Sequence, residues 1–278
     1  VAGWLSIPEG YGPPGPMVAA VQAEEGTVEA YEGLTRALAD WKPDLVVWPE
    51  YSLSLNPLQH PALFRRLAGL AREMNTALVA CGKTATPPGL PLDWLSRRSF
   101  SGEKPFYNTA LVFSSRGHLL GRYHKQHPVP FFRDGVPGKT ARVFPTRAGK
   151  VGIAICFDFD FAPVSRELVE NGAELLAIPV FDARSWTGTQ HQQHAAMAVA
   201  RAVEHRRSVV RATSSGVSQI IAPDGRLLAE LPDPSPGTIA TTVPLVRDLS
   251  LHDLGGFVFP YLCLFLAAAA LLLAGGRQ

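Results

Sequence analysis

Three side chains able to do acyl chemistry stand directly after short apolar runs: Glu50 behind LVVW, Lys125 behind LLGRYH, and Cys156 at the end of VGIAI. Runs of this kind, bounded by turn residues, read as strands, and open α/β sheets place ligands beyond the carboxyl ends of their strands. A carboxylate, an ammonium and a thiol gathered at one such edge are the parts of a nucleophilic acyl-transfer site. The thiol would attack a carbonyl, the carboxylate would take the thiol proton, and the ammonium would favour the thiolate and hold the oxyanion of the tetrahedral intermediate. Each residue also has a plainer role on offer, since free cysteine usually behaves as a small buried hydrophobe and most lysines are solvated. Cys156 is set apart by its C-terminal neighbours, because Asp158 and Asp160 interrupt the apolar run where a core strand would continue. Cys81, inside ALVACG, and Cys263, inside a long apolar tail, read as structural.

The elements that must position these groups can be read from periodicity. Strands are expected over residues 18–22, 45–48, 77–82, 109–114, 119–124, 151–156, 174–179, 208–212, 218–222 and 238–243, and helices over 27–41, 61–74, 163–171 and 192–206. Their alternation is that of an α/β fold. Other chemical motifs fail on context. Residues 10–15, GYGPPG, fit G-x-G-x-x-G in letters, yet two prolines precede a strand and no helix N-terminus comes after them to hold a phosphate. His191 and His194 lack the Glu and the further ligands of a zinc motif, so they read as shaping a site or its entrance. No G-x-S-x-G elbow supports a serine triad.

Composition bounds the rest. With 278 residues, 46% of them hydrophobic and 18% charged, the chain can bury a full core. Its 26 basic and 24 acidic residues leave a net charge of +2 without long like-charge blocks, which argues against nucleic acid as a partner. Three cysteines are too few for a disulfide framework or a zinc knuckle. Residues 257–274, FVFPYLCLFLAAAALLLA, form an uncharged run of 18, the length of a short bilayer span, so a transmembrane helix is expected there. Arg277 on one side, against Arg247, Asp248 and Asp253 on the other, gives a weak charge bias that puts the main domain outside the cytoplasm.

The segments WPEYSL (48–53), GRYHKQHPVPF (121–131) and GIAICFDFDF (152–161) resemble the nitrilase, or carbon–nitrogen hydrolase, superfamily with its Glu–Lys–Cys triad. The resemblance extends over about residues 17–243 and is greatest to the apolipoprotein N-acyltransferase branch. It implies an αββα sandwich over residues 17–246, a lead-in over 1–16 left from a truncated upstream region, and the membrane helix at 257–274. It further implies Glu50 as general base, Cys156 as the nucleophile that forms a thioester, and Lys125 with the backbone N–H of Phe157 as oxyanion donors. No cofactor or metal is called for. The implied acyl donor is a phospholipid, the acceptor a lipoprotein diacylglyceryl-cysteine or a small amine, and the place the extracytoplasmic side of a bacterial inner membrane. Two positions depart from the branch. Arg133 stands where a Glu is usual, with Asp134 beside it as a substitute carboxylate, and Phe157-Asp158 replaces Tyr-Glu. Phe157, Asp158, Asp134 and Trp186 are the supporting or substrate-binding candidates. A membrane-tethered amidase and a catalytically silent binding module are the other readings the residues allow.

Overall fold

The computed structural model describes residues 15–24, 26–90, 104–130, 132–232 and 236–275. Most of the lead-in assigned to residues 1–16, and with it most of GYGPPG, lies outside them.

Two six-stranded sheets pack face to face. The first runs in the order β12 (Gly237–Thr242), β1 (Met17–Gln22), β2 (Leu45–Val47), β3 (Ala77–Ala85), β4 (Phe106–Phe113), β5 (Leu119–His124). The second runs β11 (Leu227–Leu231), β10 (Ser218–Ile221), β9 (Ser208–Thr213), β8 (Leu175–Val180), β7 (Gly149–Ile153), β6 (Arg142–Thr146). In each sheet three strands are parallel, β1–β2–β3 and β7–β8–β9, and antiparallel strands flank them. Helices α1 (Val28–Arg36) and α2 (Pro61–Glu73) cover the outer face of the first sheet, while α3 (Ala162–Glu170) and α4 (Gly188–His205) cover that of the second. This is the αββα sandwich expected from the sequence.

Strand alternation builds the layers. Val18, Ala20, Leu45, Val47, Ala77 and Val79 point between the sheets toward Val151, Ile153, Leu175 and Ala177. Their neighbours Ala19, Val21, Val46, Leu78 and Ala80 point the other way, onto Leu63, Leu67 and Leu70 of α2. Each fully buried Val, Leu or Ile contributes about 1.5–3 kcal/mol.

Several expected boundaries shift. The helix expected over 27–41 ends at Arg36 and is followed by a 3₁₀ turn, Ala39–Trp41. The helix expected from residue 192 begins at Gly188, because Thr187 caps it and Gln190 closes the capping box. Strands β6 and β11 were not expected. Both are sheet edges, where Pro145 within RVFPT is tolerated because an edge strand need not donate on both sides.

The C-terminal segment does not confirm the expected span. After β12 the chain is tied to the second sheet by Arg207, whose buried guanidinium donates to the carbonyls of Ala173, Arg247 and Asp248. It then forms α5 (Leu251–Gly255) and α6 (Phe259–Gly275). Residues Gly256–Val258 make a 3₁₀ turn, so α6 opens at Phe259 and has 17 residues. At 1.5 Å per residue that is roughly 26 Å, against a hydrocarbon core of about 30 Å. No helix among the described residues is long and apolar enough to cross a membrane, in contrast to the span expected over 257–274. What is present is an uncharged helix with Phe259, Leu264, Phe265 and Leu272 exposed.

Candidate active site

The three chemically able residues converge at the carboxyl ends of the strands, on the floor of a cleft of about 970 Å³. Glu50 comes three residues after β2. Trp48, just before it, is fully buried, stacks on Tyr31 of α1 with ring centroids 5.1 Å apart, and donates from Nε1 to Thr35 at 2.9 Å, which anchors the turn. Lys125 comes directly after β5 and stays in register because its backbone N–H donates to the Asn108 carbonyl at 2.9 Å. Cys156 opens a 3₁₀ turn, Cys156–Asp160, just after β7. Its φ is +50°, in the left-handed region that costs a non-glycine residue about 1–3 kcal/mol, and Tyr51 shares that strain at φ +58°.

Charge organises the floor. Lys125 Nζ lies 2.8 Å from Glu50 Oε1 and 2.7 Å from Asp134 Oδ2. An ammonium has three donors, so one N–H remains for the cleft. Glu50 Oε1 also accepts from Asn108 Nδ2 at 2.6 Å, and its Oε2 accepts from the Phe181 backbone N–H at 2.9 Å. Asp134 accepts from Tyr51, Asn108 and the backbone of Val129. The carboxylate next to Arg133 thus sits against the lysine. Burial pushes the Glu50 carboxyl up from its ordinary range, against the pull of Lys125. Burial also pushes the Cys156 thiol well up, with the nearby Glu50 charge acting in the same sense, so the resting group is the thiol. For Lys125 burial is outweighed by Glu50, Cys156 and Asp134, and the amine stays an ammonium. The Cys156 Sγ lies 3.9 Å from the Phe181 carbonyl, a weak thiol contact.

The remaining candidates divide. Phe157 and Trp186 line the cleft, as does Arg133. Asp158 does not: it is fully buried beneath the turn. Its Oδ1 accepts from the backbone N–H groups of Gln126 and His127 at 3.0 and 2.7 Å, and its Oδ2 from Tyr123 at 2.7 Å and the Ile155 N–H at 3.1 Å. One carboxylate therefore ties the residue before Cys156 to the residues after Lys125. Cys81 is buried in β3 and Cys263 is exposed on α6, both away from the cleft's lining. Sequence reasoning missed Asn108, Tyr51 and Phe181. The polar Asn inside the otherwise apolar FYNTALVF was the available signal for the first.

A cleft with a thiol, a carboxylate and an ammonium at strand ends, set between two stacked sheets, is the architecture of a nitrilase-type sandwich. The sandwich matches a crystal structure of an amidase from Nesterenkonia sp. with a TM-score of 0.67 over 83% of this chain and 91% of that one, at 20% identity, which shows the fold. The carbon–nitrogen hydrolase pattern matches residues 17–248, and the chain belongs to that family. Similar proteins include the apolipoprotein N-acyltransferase of Geobacter metallireducens, 31% identical over 92% of this chain and 50% of the relative. Apolipoprotein N-acyltransferase 1 of Treponema pallidum is 36% identical over 52% of this chain and 31% of the relative. The enzyme of Vibrio cholerae is 26% identical over 87% of this chain and 50% of the relative. The chain spans half the length of these relatives or less.

Proposed function

We propose that the chain catalyses cysteine-dependent acyl transfer through a thioester, taking the acyl group from a phospholipid and passing it to the α-amine of a lipoprotein diacylglyceryl-cysteine. The observation that carries this reading is the buried Glu50–Lys125–Cys156 cluster under a cleft walled by Val129, Phe132, Phe157, Phe181, Trp186 and Met197. Apolar walls suit an acyl chain and keep water from the thioester. The similarity to apolipoprotein N-acyltransferases supports the same substrates.

The geometry orders the steps. Glu50 takes the Cys156 proton as sulfur attacks the ester carbonyl, and the oxyanion forms against the third N–H of Lys125 and the backbone N–H of Phe157. Collapse breaks the C–O bond, the lysophospholipid leaves with the proton held by Glu50, and the thioester remains. An acceptor amine then attacks, forming the amide and freeing the thiol. Residues 17–246 act as the catalytic domain. Helix α6, without a charged residue, anchors the protein at the bacterial inner membrane with the cleft on the extracytoplasmic side and close to the bilayer, where acyl chains are concentrated.

Incubation with phospholipid vesicles alone should leave a long-lived acyl group on Cys156, discharged by a peptide with an N-terminal diacylglyceryl-cysteine. An unmodified Cys156 together with steady hydrolysis of a short amide would replace this reading with an amidase.

A further inference from the structure

Behind one wall of the cleft lies a charged network that these steps leave unused. Asp182, which comes after Phe181 past the end of β8, is fully buried. Its Oδ2 accepts from Arg211 Nη2 at 2.7 Å, and its Oδ1 lies 2.7 Å from Nδ1 of His194 on α4. The hydroxyls of Ser214 and Ser215 donate to its carbonyl at 2.9 and 2.6 Å, and any side chain at position 216 would collide with its carboxylate, so Gly216 is required there. The residue is locked in place. Burial opposes its ionisation, yet Arg211 and the His194 hydrogen bond hold the carboxyl down at about 2.

An ionised carboxylate only accepts, so the His194 proton sits on Nδ1, and Arg211 Nη2, 3.2 Å from the same nitrogen, serves Asp182 rather than the ring. That leaves Nε2 with a lone pair. It stands 3.9 Å from Asp160 Oδ1, too far for a hydrogen bond. This Oδ1 is buried and has no hydrogen-bond partner among the described residues. His194 and Asp160 both line the cleft, and Asp160 ends the 3₁₀ turn that Cys156 begins.

We propose that the corner of the cleft bordered by His194 Nε2 and Asp160 Oδ1 is the seat of a primary-amine acceptor, with Asp160 receiving an N–H of the incoming ammonium and His194 acting as the base that removes its proton. The inference rests on the thioester reading above. The balance of the step is complete. One ammonium proton moves to Nε2, the amine lone pair forms the C–N bond, and the C–S bond breaks. The second N–H proton passes through Glu50 to the departing sulfur, and His194 releases its proton to water. Asp160 offers an ammonium a charge-assisted hydrogen bond that neutral water lacks, so the seat favours a cationic amine.

The test separates the two half-reactions with p-nitrophenyl butyrate, which acylates the thiol without a phospholipid and reports it as a burst of nitrophenolate absent from Cys156→Ala. The acyl-enzyme is then discharged with glycinamide, an ammonium that must lose a proton, or with hydroxylamine, which is uncharged at neutral pH. His194→Gln and Asp160→Asn should slow the glycinamide step about 10²-fold more than they slow the burst or the hydroxylamine step. Equal slowing of both nucleophiles marks a merely structural role and overturns the proposal, as does glycinamide discharge at the unaltered rate. Absence of a burst from the unaltered protein refutes the thioester chemistry itself, and the inference with it.

Discussion

Replacing Lys125 with methionine keeps most of the length of the side chain and removes the positive charge held between Glu50 and Asp134. In the native protein the ammonium bonds both carboxylates at 2.8 and 2.7 Å, and all three groups are almost wholly buried. Breaking a buried ion pair from one side costs about 3–5 kcal/mol, because the partner charge stays behind without compensation. The two carboxylates relieve this by sharing a proton, as close like charges do. Glu50, whose carboxyl burial already raises, would then titrate higher still. A carboxyl raised in the folded state binds more protons than in the unfolded chain. Its contribution to stability is full below the unfolded pKa and is lost as pH rises through the folded one. For one proton the slope is at most about 1.4 kcal/mol per pH unit. Lys125→Met should therefore lose about 3–5 kcal/mol at pH 8 and regain much of that at pH 5, measured by urea unfolding at both values. Stability equal to the unaltered protein at pH 8, or a deficit that does not change with pH, would refute the charge argument. At pH 5, where the variant is folded, acyl-enzyme formation should still be slowed by about 10²–10³-fold for loss of an oxyanion donor.

Glu50→Gln keeps the shape but cannot take a proton, so stopped-flow acylation should slow by at least about 10²-fold, and an unaltered rate would remove Glu50 as the base. Asp158→Asn presents an NH₂ group where the Ile155 and Tyr123 donors now point, leaving at least one buried N–H unpaired. A loss of about 1–3 kcal/mol in denaturant unfolding is expected, with slower acylation from a loosened cysteine turn. Removing residues 256–278 should abolish binding to phospholipid vesicles in a flotation assay while leaving the unfolding midpoint of the remainder unchanged; vesicle binding that survives would place the contact elsewhere.

The strand-end position of Glu50, Lys125 and Cys156 was legible because a strand buried between sheet and helices reads as a short apolar run, and a polar residue at its end is conspicuous. The edge strands β6 and β11 were not legible, since half-exposed residues carry no such run and Pro145 argues against pairing. Asp158 shows a different limit. Its chain position beside Cys156 suggested a supporting or substrate-binding role without saying which, because its hydrogen bonds reach back to residues 123, 126, 127 and 155, and only the folded chain brings those partners under the turn. Asn108 and Asp182 were obscured for the same reason, because each acts on partners dozens of residues away. The start of the last helix at Phe259 was not legible because hydropathy alone does not register the 3₁₀ turn at Gly256–Val258 that precedes it.

One sulfur, that of Cys156, is proposed to carry the acyl group, and every later step depends on it. Intact-mass analysis of the protein after incubation with phospholipid, followed by peptide mapping, tests this most directly. One fatty acyl group on Cys156, removed by hydroxylamine, absent from Cys81 and Cys263 and lost in Cys156→Ala, is the predicted result. An acyl group on another residue, or one that persists in Cys156→Ala, would contradict it.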